Sequence, residues 1–326
     1  MQLHVDIESW PYKVPFRVSR GVEAALEVIV VTLTDASGHR GWGEAAGVDY
    51  DGETAQGLAA EIEALRSRIE AGANLDEIAV SLPAGGARNA FDCALWDLRA
   101  KTTGRSVWQS AGFANPKPLV SAITFGIDGD AATAALAQRY QGWPLIKIKV
   151  DGERHVEVVR LVHAICPQAA FIVDPNQAWN VELLNRLAPE LHAMGVALIE
   201  QPVPRGEDAT LRDYRGPVRL AADESLAERE DLSAIRDYYQ VVNIKLDKTG
   251  GLTEALATAQ AARAQGLALM VGCMAGTSLA MAPGMVIGQM AEFVDLDGPL
   301  LHARDREWGI AYDCGKMQLP TAALWG

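Results

Sequence analysis

The stretch "LIKIKV", residues 145–150, sets two lysines into what otherwise reads as a buried strand. Residues two apart in a strand share a side. Ile146, Ile148 and Val150 therefore take one face, leaving Lys147 and Lys149 together on the other. Buried charge is costly unless something answers it, so this strand bears on both the fold and the chemistry.

Similar apolar runs recur from residue 119 onward: "LVSAITF", "LIKIKV", "AFIVD", "ALIE", "RLAAD", "VVNIKL", "ALMVGC" and "FVDLD". They begin at 119, 145, 170, 197, 219, 241, 268 and 293, spacings that suit a strand plus a crossover helix. The segments between them, such as "ERHVEVVRLVHAICP" and "LTEALATAQAARAQG", are rich in helix formers, and Gly266 is placed to end the second. Eight alternating units imply a parallel sheet closed as a (β/α)8-type barrel. An open doubly wound sheet is disfavoured because no Gly-rich nucleotide loop follows the first strand.

Residues 1–115 read differently. "LHVDIESW" alternates and "ALEVIVVTLTD" is β-branched, with the turn "DASG" after it, which predicts an antiparallel meander. Two helical segments follow; in the second, "RNAFDCALWDLRAKTTG", Phe91, Ala94, Leu95 and Leu98 share a face and Gly104 stops the helix. The organisation expected is an α+β domain over 1–115, a barrel over 116–300 beginning at "ANPKPL", and a tail, 301–326, folding back onto the first domain.

A formal charge of −13 disfavours nucleic acid and anionic membrane as partners. No run approaches a membrane span and "MQLHVDIESW" lacks signal-peptide character, so a cytoplasmic location is expected. Cys93, Cys166, Cys273 and Cys314 are far apart and read as reduced thiols. A homo-oligomer is allowed, and the subunit count is left open.

The same parity turns Asn243, Lys245 and Asp247 of "VVNIKLD" inward, and likewise Asp295 and Asp297 of "FVDLDG". Barrel interiors are normally apolar and sites lie at the C-terminal mouth, so inward charges at strand ends mark that mouth. Asp174, Glu200 and Asp223 close three consecutive strands. Any one of them alone reads as a helix cap. Three together, flanked by lysines, would crowd like charges unless a cation joined them. Oxygen ligands suit Mg²⁺; zinc is disfavoured because no His or Cys falls at these ends, and His155 and His163 sit on a predicted helix, facing solvent. Lys149 and Lys245 would then approach a substrate from opposite sides, one removing a proton from a carbon and the other returning it. Lys147 would tune Lys149 electrostatically, lowering its pKa towards working pH, and the metal would stabilise the enolate.

Over essentially the whole chain, "KIKV", "DPNQAW", "IEQP", "ADES", "NIKLDKTGGLTEAL", "GCM", "DLDGP" and "LPAGGARNAFDCALWDL" resemble the enolase superfamily, and its dipeptide epimerase branch in particular. The resemblance implies an α+β capping domain on an α/β, TIM-like modified (β/α)7β barrel. It implies Mg²⁺ on Asp174, Glu200 and Asp223, with Lys149 and Lys245 as acid/base pair and Lys147, Asn176 and Asp247 in support. Asp295 and Asp297 would hold the ammonium group of a small dipeptide, with Thr124, Cys273 and Met274 lining the pocket. Members acting on L-Ala-L-Glu resemble "PF…RGSR" in the first capping loop; here "PFRVSRGVE" puts Glu23 in place of the final Arg, and "GVDYDGE" adds Asp49 and Asp51. Repulsion of a Glu side chain predicts a cationic or neutral second residue. Muconate- or succinylbenzoate-type lyases and cycloisomerases use the same lysines and metal, but their substrates carry no ammonium for Asp295 and Asp297. A Schiff-base aldolase would not need the three carboxylates, and a non-catalytic peptide-binding module would not need the lysines.

Overall fold

The computed structural model describes residues 1–326 apart from 19, 20, 74 and 80 and apart from the side chains of 15–23. Strands β1 (Gln2–Val18), β2 (Gly21–Thr34) and β3 (Arg40–Ala45) form the antiparallel meander. Its β2–β3 turn is tied by Asp35, whose Oδ1 accepts Ser37 N at 2.8 Å and His39 N at 2.9 Å. Helices α1 (Ala55–Ala64), α2 (Arg66–Glu70), α3 (Leu75–Ala79), α4 (Gly86–Thr103) and α5 (Val107–Ser110) follow. The expected apolar face of α4 is buried with Ile29, Val31 and Leu33, and the helix ends at Gly104 in the left-handed conformation, φ 66°. Glycine is required on the strand beneath: a Cβ at Gly43 would stand 2.1 Å from Ala90 O.

The short strand β4 (Leu119–Val120) precedes β5 (Ile123–Phe125), α6 (Asp130–Arg139), β6 (Leu145–Lys149), α7 (Val156–Ile165), β7 (Ala170–Asp174), α8 (Val181–Ala193), β8 (Val196–Glu200) and β9 (Arg219–Ala222). Then come α9 (Leu232–Ile235), β10 (Val241–Ile244), α10 (Leu246–Thr249), α11 (Leu252–Ala264), β11 (Ala268–Val271), α12 (Ser278–Gly288), β12 (Phe293–Val294) and α13 (Gly298–Leu301). Strands β5 to β12 are parallel and hydrogen-bonded in sequence order, and Ala122 N donates to Val294 O at 2.7 Å between the two ends. The run "LVSAITF" divides: Leu119–Val120 pairs instead with β14 (Lys316–Met317) of the tail, itself paired with β13 (Tyr312–Asp313). The β8–β9 crossover contains only a 3-10 turn, Asp208–Asp213, because Pro202, Pro204, Gly206 and Pro217 interrupt it.

Two separate apolar layers bear out the strand parity. Ile146, Ile148, Val173, Ile199, Ile244 and Val294 pack under the helices, whereas Leu145, Ile172, Leu198, Val241, Met270 and Phe293 fill the barrel axis below the mouth. His155 and His163 depart from expectation. Both are half-buried and packed edge-on: His155, which precedes α7 rather than lying on it, against Trp179 of the loop after β7, and His163 of α7 against Phe171 of the sheet. Among the described residues no helix is long and apolar enough to cross a membrane.

Helix α4 is fastened to the barrel beside Lys245. Arg88 donates to Thr249 O at 2.8 Å, and Asp92 accepts Thr253 N at 2.8 Å and Thr253 Oγ1 at 2.7 Å. Burial, opposed by the Thr253 bonds, pushes the Asp92 carboxyl from 3.8 to about 6. Because the folded-state value is the higher one, the stability this group contributes is complete below about pH 4 and is lost as pH rises through 6. Denaturant titrations should therefore show Asp92→Asn gaining on the order of 2–3 kcal/mol relative to wild type between pH 4 and 7.

Candidate functional site

Asp174 and Glu200 end β7 and β8, and Asp223 follows β9 directly; all three are buried, at 1%, 0% and 1% exposure. Each meets an ammonium group. Lys147 Nζ lies 3.1 Å from Asp174 Oδ2, 2.8 Å from Glu200 Oε2 and 3.1 Å from Asp295 Oδ2. Lys149 Nζ is 3.3 Å from Asp174 Oδ2 and donates to Asn176 Oδ1 at 2.6 Å. Across the mouth, Lys245 Nζ donates to Asp223 Oδ2 and Lys248 Nζ to Asp223 Oδ1, both at 2.7 Å. Strands β7, β8 and β9 thus separate Lys149 on β6 from Lys245 after β10.

As the side chains stand, no three His, Cys, Asp or Glu groups among the described residues are close enough to hold a metal ion. The reason is in the pairings: Lys147 draws Asp174 and Glu200 one way, and Lys245 and Lys248 draw Asp223 the other. Glu200 Oε2 is nonetheless buried without a hydrogen bond, its contact to Lys147 being an ion pair only, while Asn243 Nδ2 donates to Oε1 at 2.8 Å. A carboxyl oxygen left thus, beside other hard oxygen donors, fits a divalent cation in its chemistry.

The same pairings set the ionisation. Burial, opposed by Lys147 and reinforced by Asp174 and Asp223, pushes Glu200 up to about 8. Burial also acts on Asp223, but Lys245, Lys248 and Lys147 outweigh it and hold that carboxyl below the usual range. Burial pulls Lys147 and Lys245 down, yet Asp174, Asp295 and Glu200 on the first and Asp223 on the second hold both well above the ordinary lysine value.

Asp295 and Asp297 are brought together by Thr124, whose Oγ1 donates to Asp295 Oδ1 at 3.2 Å and whose N donates to Asp297 Oδ2 at 2.6 Å. Burial, then Asp295, pushes Asp297 up to about 7. Cys273 and Met274 are partly exposed on the loop after β11. The Cys273 thiol faces the aspartates: burial, then Asp295 and Asp297, pushes it well above its ordinary value.

Asp247 is placed differently from the parity reading. The strand stops at Ile244 and α10 begins, so Asp247 leaves the axis and accepts Gly47 N of the second capping loop at 3.0 Å. Lys248 occupies the inward place instead. Asp49 and Asp51 are exposed, and Asp51 lies 3.8 Å from Arg205 of the loop after β8. The loop is thus tied to α10, and Asp223, Lys245 and Glu224 of the mouth all act on the Tyr50 hydroxyl. The Tyr50 hydroxyl is buried without a partner, and burial, then Asp223, pushes its ionisation far above the usual value. The side chain of Glu23 lies outside the described residues.

Sequence reading missed Tyr50, Lys248, Glu224 and Gln201. Glu224 Oε2 is a second buried oxygen without a partner. Gln201, at φ 36°, accepts Asp223 N at 2.9 Å and Ser225 N at 3.1 Å, fixing the Asp223 loop. A one-turn α10 after Lys245 would have put Lys248, three residues on, near the same side; nothing in the sequence signals the left-handed Gln201.

Residues 130–323 match the family "Enolase C-terminal domain-like", and residues 1–112 match "Mandelate racemase / muconate lactonizing enzyme, N-terminal domain". The chain belongs to the enolase superfamily. The L-Ala-D/L-Glu epimerase of Escherichia coli (strain K12) is 38% identical to it over 96% of this chain and 98% of that one. An enolase family member from Agrobacterium tumefaciens with homology to dipeptide epimerases, solved with bound sodium and L-Ala-L-Glu, has TM-score 0.94 and 40% identity over 99% of both chains. The dipeptide epimerase of Methylococcus capsulatus, solved with Mg and L-Arg-D-Lys, has TM-score 0.88 and 30% identity over 98% of this chain and 96% of that one. The two solved relatives hold a metal ion and a dipeptide, and the named epimerases are isomerases of amino acid derivatives.

Lys147, 3% exposed, is the cation shared by three of this chain's buried acids. Lys147→Met should lower the unfolding free energy by about 3–5 kcal/mol in a urea titration, since it leaves those charges unpaired.

Proposed function

We propose that this chain is a Mg²⁺-dependent dipeptide epimerase inverting the α-carbon of the second residue of an L-Ala-L-Xaa dipeptide. The observation that carries the reading is the placement of Lys149 and Lys245 on opposite flanks of Asp174, Glu200 and Asp223, with Asp295 and Asp297 paired at the far side of the mouth. Six carboxyl groups at the mouth, counting Glu224, outnumber the four ammonium groups of Lys147, Lys149, Lys245 and Lys248, and burial and the neighbouring carboxylates push Glu200, Glu224 and Asp297 up, an imbalance that a divalent cation would relieve.

Asp174, Glu200 and Asp223 would hold Mg²⁺, which when bound supplies the positive field that stabilises charge developing on the substrate carboxylate. The chain's own groups do the rest. Asp295 and Asp297, fixed by Thr124, would pair with the dipeptide's ammonium and fix which α-carbon lies between the lysines. One lysine Nζ takes the α-proton, and the other delivers a proton to the opposite face. Lys147 holds Asp174 and Glu200 in place, and Asn176 orients Lys149 through its 2.6 Å bond. The muconate-type alternatives bring no ammonium group to the Asp295–Asp297 pair.

For Xaa, Glu23 in place of the arginine, with Glu224 and the Tyr50 hydroxyl at the mouth, favours a cationic or neutral side chain. L-Ala-L-Glu is the second reading, favoured by the dipeptide in the Agrobacterium relative and weighed against by Asp51, which Arg205 answers only at 3.8 Å.

Incubated in D2O with Mg²⁺, the protein should place deuterium at the second α-carbon of L-Ala-L-Xaa dipeptides; EDTA should abolish exchange and Mg²⁺ restore it. Ala-Lys, Ala-Arg or Ala-Gln should exceed Ala-Glu in kcat/KM. Preference for Ala-Glu would remove the specificity reading, and no exchange with any dipeptide would remove the function.

A further inference from the structure

Glu44, on β3 of the capping domain, is 1% exposed and lies outside the machinery described above. It reaches into the barrel: Oε1 accepts Thr277 N at 2.7 Å, and Oε2 accepts the Thr277 hydroxyl. Arg306 of the tail closes the group, donating from Nη2 to Glu44 Oε2 at 2.6 Å and from Nε to the same oxygen at 2.9 Å, and from Nη2 to Glu8 Oε2 at 2.7 Å. One carboxylate therefore joins the capping sheet, the loop after β11 and the C-terminal tail.

The residue beside this clamp packs against the residue that follows Asp297. A Cβ on Gly276 would meet Glu44 Oε1 at 3.2 Å, so its backbone lies against the carboxylate. On its other side is Gly298: a Cβ there would meet Gly276 O at 2.7 Å and N at 2.9 Å. Gly298 follows Asp297. The tail grips both segments: the Tyr312 hydroxyl donates to Leu296 O at 2.5 Å, between the two aspartates, and Asp305 accepts Ser278 N at 3.0 Å, two residues after Gly276. Thr124 restrains Asp295 and Asp297 from the opposite side. The backbone that follows Asp297 therefore packs on a glycine segment that Glu44 holds.

We propose that Glu44, locked by Arg306 and Thr277, is a positioning residue that sets the spacing of Asp295 and Asp297 and hence the enzyme's recognition of a substrate amino terminus. The clamp leaves the lysines alone, since Lys149 and Lys245 are held by Asp174, Asn176 and Asp223. This rests on the dipeptide reading above and adds the source of its amino-terminal selectivity.

The test uses the full chain and two probes: the dipeptide that wild type exchanges fastest, and its propionyl analogue, in which hydrogen replaces the ammonium. Glu44→Gln keeps the shape and removes the charge; Arg306→Lys keeps charge and loses the two-pronged contact. Each should raise KM for the dipeptide about tenfold with kcat within about twofold, and leave kcat/KM for the propionyl analogue within about twofold, so that the preference for a free amine falls about tenfold. Circular dichroism melts establish that each variant is folded; if one is not, the other decides. Equal losses on both probes, or an unchanged preference in a folded variant, would overturn the proposal. Wild type that exchanges the dipeptide no better than the propionyl analogue would overturn it too, while wild type that exchanges neither removes the dipeptide reading beneath it.

Discussion

Carboxylates crowded at the mouth of the barrel cannot stand alone. Two like charges 4 Å apart repel by about 4 kcal/mol even at an effective dielectric of 20, comparable with much of a domain's net stability of about 5–15 kcal/mol. Asp174, Glu200, Asp223, Asp295 and Asp297 are all nearly buried, so cations must be built in among them. Lys147 serves three of these acids, and Lys245 and Lys248 share the fourth, Asp223. Much else in the molecule holds those charged ends in register: the apolar plug of Leu145, Ile172, Leu198 and Met270 below them, and Gln201 beneath Asp223.

The need to hold charges also explains the backbone. Asn176, Gln177 and Gln201, just past the ends of β7 and β8, adopt positive φ of 42°, 70° and 36°, a conformation costly for non-glycine residues and retained where the surroundings impose it. Turning sharply there, the chain brings Asn176 to Lys149 and the Gln201 amide under the Asp223 loop. The capping domain contributes from above, with Asp247 tethering the loop that carries Tyr50, and Glu44 and Arg306 holding the loop after β11.

Much of this was legible in the sequence because it depends on period and spacing. Eight apolar runs at similar intervals gave the strand order, and alternation within "LIKIKV" and "FVDLDG" gave the inward faces of Lys147, Lys149, Asp295 and Asp297. Parity failed where a strand ended sooner than its apolar run: after Ile244 the chain turns helical, so Asp247 goes to the capping loop and Lys248 to Asp223. In "GVDYDGE" the charges of Asp49 and Asp51 are plain, but burial of the Tyr50 hydroxyl between them depends on a tie to Asp247 that is remote in sequence. The Glu44 clamp was illegible for the same reason: its partners, Thr277 and Arg306, lie more than two hundred residues away.

The central claim is that two amines act on opposite faces of one carbon. It is tested most directly by following deuterium incorporation and configuration at the second α-carbon with Lys149→Met and Lys245→Met, starting separately from the L,L and L,D epimers. Each variant should exchange the α-hydrogen of one epimer without inverting it, and the two variants should act on opposite epimers. A single-lysine variant that still interconverts the epimers, or two variants that retain exchange with the same epimer, would contradict it.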